Sequence, residues 1–418
     1  MTVRTTTSRG LADTFADLVG PDSPVAFRAF DGSHAGPADP AATIEVRSPA
    51  AVRRVLSSPN QLGLARGYVA GEIEVHGDIY AVLDLRDRAA GALRRPQTWA
   101  AWARMAGSGG LRRPPEPPPE EVRVHGRRHS RSRDAAAISY HYDVPGDFYR
   151  LFLGPTMTYS CGVWADPSVG LDAAQEAKYE LICRKLGLVP GMRLLDVGCG
   201  WGGMVMHAAR HHGVHAVGVT LSQEQADLAR RRVAEAGLSG QVEIRLADYR
   251  DVSDGPYDAI SSIGMFEHVG AAHLGEYFGH MRALLAPGAR LLNHGISRPA
   301  GQRPMGRNGF IQRYVFPDGE LQEIGRVVSA VQHAGLEVRH TENLREHYAL
   351  TLRAWVRNLE EHYDEATRLA GAGRARVWRL YLAGSALGFE RGGIEIHQTL
   401  AVRAEDGASK LPLRPDWA

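Results

Sequence analysis

The sequence is poor in three features that would each have assigned a class at once. Its 418 residues include only three cysteines, Cys161, Cys183 and Cys199. They are too few and too scattered for a disulfide framework, no two are spaced as a zinc pair, and no metal site is expected. Long apolar runs are also missing, since no stretch approaches the eighteen or so residues needed to span a bilayer. Met1 to Gly20 carries Arg4 and Arg9 but no continuous apolar segment and no small-residue cleavage site, which argues against a secretory leader. The third absence is an excess of charge. Forty-nine Lys and Arg stand against 47 Asp and Glu, a net +2, so the overall balance selects no partner. A cytoplasmic protein in a reducing compartment is the expectation.

What is present divides the chain in three. Over residues 1–92, Thr43 to Val46 reads as a short strand. Ser48-Pro49 opens a helix through Leu56, with serine at the N-cap and proline at the first helical position, and Asp78 to Asp87 gives another helix. Residues 1–92 are therefore expected to form a small α+β domain. Over residues 93–134 the composition shifts. Arg112-Arg113-Pro114-Pro115 leads into Pro117-Pro118-Pro119, followed by Arg123, Arg127, Arg128, Arg131 and Arg133, with Trp99 and Trp102 upstream. Proline removes helical donors and dense charge cannot form a core, so a linker is expected. Two readings of it stay open: a solvated tether, or a basic contact with anionic lipid head groups, worth roughly 1 kcal/mol per Lys or Arg at the surface. No aromatic platform follows, so nucleic acid is not an expected partner.

From residue 135 to 418, strand-like segments alternate with helical ones. Arg193 to Val197, His215 to Val219, Val242 to Leu246, Ala259 to Ser262 and Ala289 to Asn293 read as strands. Gly202 to His212, Ser222 to Ala236 and Ala272 to Leu285 read as helices. The alternation predicts an α/β, doubly wound, Rossmann-like sheet with helices on both faces. No internal repeat is present.

The first of these strands runs into Asp196-Val197-Gly198-Cys199-Gly200-Trp201-Gly202-Gly203 and then a helix. Gly198 and Gly200 permit a tight turn with a ligand against the backbone. Such a turn alone also suits a dinucleotide. Two features favour a methyltransferase: Asp196 just before the glycines, where an acid meets the cofactor's amino-acid end, and a second strand ending in Thr220-Leu221 rather than in a ribose-binding acid. The third strand ends in Asp248 and Tyr249, an acid and an aromatic placed to flank an adenine.

Several motifs then occur in order: His141-Tyr142-Asp143 with Phe148-Tyr149, Thr158-Tyr159-Ser160-Cys161, the glycine turn, Val219-Thr220-Leu221-Ser222 with Gln225, and Gly264-Met265-Phe266-Glu267-His268-Val269-Gly270. In these the chain resembles the cyclopropane-fatty-acyl-phospholipid synthase and mycolic acid cyclopropane synthase family from about Ile138 to Arg403. Ala42 to Leu83 is similar to the N-terminal lipid-binding module of the phospholipid-acting branch. The resemblance implies a class I methyltransferase domain using S-adenosylmethionine, with Tyr159, Ser160, Gly198, Gly200, Thr220, Leu221 and Gln225 on the cofactor and Tyr249 near its adenine. It implies a catalytic pocket of Cys161, Glu267 and Tyr348, with Tyr142 nearby, around a bicarbonate base. The implied substrate is the cis double bond of an oleoyl-type phospholipid chain, met at the inner membrane surface by a peripheral enzyme. A homodimer is left open as its oligomeric state.

The chain departs from the family at Leu291-Leu292-Asn293-His294-Gly295-Ile296, where members show Leu-Leu-His-Thr-Ile. Without a gap, Asn293 takes the histidine's place and Gly295 the isoleucine's. His294 is the catalytic candidate only if the strand shifts by one residue, for which Gly295 suggests a bulge. Ser385 stands where many members have cysteine, and the chemistry needs no nucleophile there. Methyl transfer to an alkene leaves a carbocation. Loss of a proton from the new methyl closes a cyclopropane, whereas a prior hydride shift gives the methylene-branched (10-methylene) chain, the outcome favoured here. An NAD(P)- or FAD-dependent oxidoreductase on the same fold, or a non-enzymatic lipid-binding protein, are the rival readings. S-adenosylhomocysteine should raise the melting temperature of the purified chain and NAD(P) should not; the reverse result would point to the oxidoreductase.

Overall fold

The computed structural model describes residues 10–20, 22–58, 60–92, 115–122, 126, 128, 130, 131, 133, 134, 144–302, 306 and 309–417, with side chains only to residue 85 in the helix that ends at 92. Trp99, Trp102, Arg112, Arg113, Arg123, Arg127 and Tyr142 lie outside the described residues. By its internal contacts the chain forms two compact units. One comprises Met1–Val122, Asn308–Val315 and Ala370–Gly384; the other comprises Arg123–Arg307, Phe316–Leu369 and Ser385–Ala418.

The first unit is built on β1 (Val25–Ala29), β2 (His34–Ala35), β3 (Ala42–Val46) and β4 (Ile73–Gly77), in the order β2-β1-β3-β4. β1 and β3 are parallel and the other pairs antiparallel. Val25, Phe27 and Ala29 alternate inward along β1, and Phe27 stacks on Phe15 of the helix Leu11–Val19 with ring centres 5.3 Å apart. Pro49 begins the helix Pro49–Ser57 directly after Ser48, as the sequence predicts. Guanidinium forks tie in the distant segments. Arg66 grips Glu121 with two bonds of 2.7 Å, and Arg379 donates to the carbonyls of Val75 and Gly77 at 3.1 and 2.9 Å. Proximity in sequence gives no hint of those returning segments.

The second unit is organised on β5 (Arg193–Val197), β6 (His215–Thr220), β7 (Val242–Leu246), β8 (Tyr257–Ile263), β9 (Leu285–Arg298), β10 (Gln322–Glu323), β11 (Glu337–Asn343) and β12 (Glu395–Val402). Their order is β11-β12-β9-β8-β5-β6-β7, with β10 beside β9. The run from β9 to β7 is parallel, and β12 is antiparallel to its neighbours. Leu194, Ala259, Leu292 and Leu400 pack on one face with Ile182, Val205 and Ala229 of three helices, while Leu195, Ile260, Leu291 and Ala401 pack on the other with Phe278 and Val327. Apolar residues on both faces give the near-continuous hydrophobic strands expected of a doubly wound sheet. Chain connections leave in opposite directions from β5 and β8, which places a crevice at their carboxyl ends.

Two expectations change. β9 and β12 keep an unbroken register from Arg290↔Val402 to Ser297↔Glu395, so no bulge occurs at Gly295. The glycine has another cause: a Cβ there would sit 2.0 Å from Cε1 of Phe266, whose ring occupies that space. The described arginines of the 93–134 segment are also committed to acids. Arg133 and Arg128 both hold Asp318, at 2.6 and 3.0 Å, and Arg131 holds Asp251 at 2.7 Å. Those three are therefore not a free basic tether.

Candidate active site

At the end of β5 the backbone turns through Gly198, Gly200 and Gly202, with φ of 79°, 55° and 82°. These left-handed values favour glycine, and the N–H groups of Gly198 and Cys199 both donate to the Val219 carbonyl at 3.0 Å, locking the turn onto β6. A cavity opens over the turn. Nine of the ten cofactor residues expected from the sequence line it: Tyr159, Ser160, Asp196, Gly198, Gly200, Thr220, Leu221, Gln225 and Tyr249. Asp248 is the exception. Its carboxylate accepts bonds of 2.8 and 2.6 Å from the Arg250 guanidinium and one of 3.0 Å from the Arg250 N–H. Burial opposes its ionisation, but the bonds from Arg250 prevail and hold it below the ordinary carboxylate range.

Asp196 is wholly buried and accepts from Ser261 Oγ at 2.7 Å. Burial pushes its carboxyl up to about 6, against the pull of Ser261 and of Lys178. Lys178, on the helix Leu171–Leu186, is equally buried and donates to Ser160 Oγ at 3.1 Å. Loss of hydration brings its ammonium down to about 7, against the attraction of Asp196 and Cys161. At the next strand end, Thr220 Oγ1 donates to Gln225 Oε1 at 2.7 Å, and Ser222 caps the following helix by accepting from the Gln225 N–H at 3.3 Å. The cavity is also lined by residues that sequence reasoning missed: Lys178, Ala247, Met265 and His268. Met265 and His268 lie in the glycine-flanked motif after β8 with no cofactor role expected of them, and Ala247 and Lys178 carry no distinguishing signal.

A second group of residues is brought together from different elements. The loop holding Cys161 is pinned to the helix Arg345–Glu361 by Thr351, whose Oγ1 accepts from the Gly162 N–H at 3.1 Å and from Trp164 Nε1 at 3.0 Å. Tyr348, on the same helix, meets the Trp355 ring edge-on at 5.9 Å, and Trp355 stacks on Tyr159 at 5.3 Å. An aromatic chain thus runs from Tyr348 to the cavity wall. Trp355 is fully buried, and its spacing of seven residues from Tyr348 put both on one helix face. Cys161 is buried too, and burial pushes its thiol up, so it is not a thiolate.

Glu267 sits in a single turn, Phe266–His268, after β8. Its Oε1 accepts from the Ile296 N–H at 2.7 Å, while Oε2 is buried without a partner among the described residues. Burial raises its carboxyl to about 7, against the Ile296 bond. Asn293 Oδ1 and Thr399 Oγ1, on cross-strand partners of β9 and β12, are likewise buried and unpartnered. His294 points the other way. It lies on the sheet face of Leu292, where its Nδ1 meets Gln398 Nε2 at 3.2 Å, and burial keeps it neutral. With the register unbroken, His294 does not replace Asn293.

Residues 129–399 match the family described as mycolic acid cyclopropane synthetase. A probable fatty acid methyltransferase of Mycobacterium tuberculosis is 45% identical over 94% of this chain and 95% of its own. The tuberculostearic acid methyltransferase UfaA1 of the same organism is 34% identical, covering 89% of this chain and 86% of its own. Among solved structures, the mycolic acid cyclopropane synthase CmaA1, complexed with S-adenosylhomocysteine and CTAB, superposes with a TM-score of 0.60 at 34% identity, over 64% of this chain and 98% of that one. Fold, glycine turn and these likenesses define a class I methyltransferase, an enzyme whose cofactor is S-adenosylmethionine. More narrowly, the chain belongs to the mycolic acid cyclopropane synthetase family.

Glu267 binds its proton more tightly folded than unfolded, so the stability it contributes is present below its ordinary value of 4.5 and lost as pH rises through about 7. Glu267→Gln keeps a neutral side chain at every pH. From pH 4.5 to pH 7 the variant should therefore gain on the wild type by on the order of 2–3 kcal/mol. A denaturation series at constant ionic strength checks this, and a pH-independent difference would contradict it.

Proposed function

We propose that the enzyme transfers the methyl group of S-adenosylmethionine to the cis double bond of an unsaturated acyl chain on a membrane phospholipid, and that the product is a methylene-branched chain. The acyl substrate is supported by the relatives named as fatty acid and tuberculostearic acid methyltransferases. The single observation carrying the product assignment is Asn293, in the family histidine's place on an unbroken strand, beside Thr399 and with its Oδ1 without a partner among the described residues.

The proposed cofactor residues are the nine that line the cavity, and they fit. The left-handed glycines let a ligand approach the backbone, and a Cβ at Gly198 would press on Met265 Sδ at 3.3 Å. When bound, S-adenosylmethionine supplies an electrophilic methyl on a sulfonium. Transfer of that methyl to the alkene would leave positive charge on the acyl chain. Tyr348 and Trp355 offer buried ring faces that attract such a cation and exclude the water that would quench it. Tyr142 belongs to the same expected pocket but lies outside the described residues. Glu267 holds or takes a proton at Oε2, the atom left open by the Ile296 bond.

Bicarbonate fits the donors present on one condition. A carboxylate facing the anion would repel it, but a carboxyl raised to about 7 is protonated often enough to donate. Glu267 and Asn293 would hold the ion, with Cys161 a further candidate, and it would supply a proton acceptor when bound. Asn293 offers an amide where the family's histidine would offer an imidazole, and this difference is the basis for proposing the methylene-branched product. Residues 1–92 are proposed to bind lipid, with the enzyme peripheral to the membrane. No helix among the described residues is long and apolar enough to cross one.

Gas chromatography–mass spectrometry of lipids from cells expressing the chain should reveal a methylene branch. A cyclopropane ring would replace this product reading with the family's other one. Glu267→Gln should lower turnover about 10²-fold and Tyr348→Leu, which removes the ring face, about tenfold or more, while S-adenosylhomocysteine affinity stays near that of the wild type; unchanged turnover would remove them from the proposed catalytic group.

A further inference from the structure

Two helices that line the cofactor cavity also meet at a cluster that methyl transfer does not use. Glu180 and Cys183 are three residues apart on one face of the helix Leu171–Leu186. His207 and His212 come from the adjoining helix Gly203–His212. The Cys183 sulfur and one ring nitrogen from each histidine lie within 4.8 Å of one another. Glu180 Oε2 lies 3.0 Å from His212 Nε2 and 3.4 Å from His207 Nε2. Cys183 is fully buried beneath the cluster, and the other three are partly open to solvent.

We propose that this cluster is a transition-metal site of the zinc class, ligated by Cys183, His207, His212 and Glu180. In a tetrahedral zinc site the nitrogen and oxygen donors stand about 3.3 Å apart, and sulfur stands about 3.6 Å from nitrogen. The Glu180–histidine spacings of 3.0 and 3.4 Å match the first figure; the sulfur, within 4.8 Å of the histidine nitrogens, reaches the second by closing at most about 1 Å, and Glu180, outside the three groups that already converge, turns toward Cys183 to complete the set. One thiolate, two imidazoles and a carboxylate form a mixed set suited to a borderline-soft ion. Glu180 is held in place from outside, its Oε1 accepting from Arg184 Nε at 2.9 Å, as an outer partner fixes a metal ligand. Binding converts the Cys183 thiol to thiolate and releases its proton to water, with no change of oxidation state.

The site's consequence is mechanical. Lys178 and Tyr179 on the first helix, and Gly203 and Met204 on the second, line the cofactor cavity. A metal bridging the two helices staples that wall. The test is a titration of the chelator-treated full chain with Co²⁺, followed by Zn²⁺ competition. One equivalent of Co²⁺ should produce a thiolate-to-cobalt charge-transfer band and tetrahedral visible bands that Zn²⁺ abolishes. Cys183→Ser should remove the charge-transfer band. His207→Gln and His212→Gln should each weaken Co²⁺ binding at least tenfold, and all three variants should still be stabilised by S-adenosylhomocysteine, which shows that they fold. No band in the wild type, a band that survives Cys183→Ser, or undiminished binding by both histidine variants would each overturn the proposal.

Discussion

The second unit is arranged around one costly constraint, a carboxylate and an ammonium taken out of water at the carboxyl end of β5. Asp196 and Lys178 are each pushed toward neutrality by burial, and each is held charged in part by the other. Removing one would strand its partner, an expensive state in a low-dielectric interior. Ser261 on β8 fixes Asp196, and Ser160 on the loop before the first helix accepts from Lys178. The pair therefore sets the relative positions of strand, helix and loop around the cavity proposed for the cofactor. The glycine turn over it needs only to be narrow, which positive φ at Gly198 and Gly200 provides.

From that anchor the residues proposed for catalysis follow by packing. The loop after Ser160 carries Cys161 and is pinned by Thr351, which brings in the helix with Tyr348 and Trp355. The far edge is set by Phe266, whose ring lies where a side chain at residue 295 would go, and Glu267 follows it directly. The second unit thus holds buried rings at Tyr348 and Trp355 and, at Glu267 and Asn293, buried polar atoms without a partner among the described residues. Such features are poor for stability, and the proposed reaction would use them to host a cation, pass on a proton and exclude water.

Much of this was legible in the sequence where local chemistry and chain order agree. The strands and the glycine turn were, because buried parallel strands and left-handed glycines leave strong local patterns. The residues around the cavity were mostly visible for the same reason, as ligands gather at strand ends. Asp248 has the chain position expected of a cofactor acid, and the structure pairs it with Arg250, two residues on, outside the cavity lining. Gly295 suggested a bulge because glycine permits one, whereas its cause is a ring from another element, which no local pattern records. Lys178, Trp355 and the Cys183–His207–His212 cluster were hidden for a related reason. Their partners lie on elements distant in the chain, the Ser160 loop and β5 for Lys178, Tyr159 for Trp355 and a second helix for Cys183, and the spacings within each helix resemble ordinary amphipathic faces.

The most direct measurement of the central claim uses S-adenosylmethionine carrying a trideuterated methyl group, the purified enzyme and vesicles of oleoyl phospholipid. After the acyl chains are released, the account predicts label in the fatty acid, with two of the three deuterons retained because one leaves as the proton lost from the transferred carbon. Label confined to the head group, three deuterons retained, or no transfer at all would contradict it.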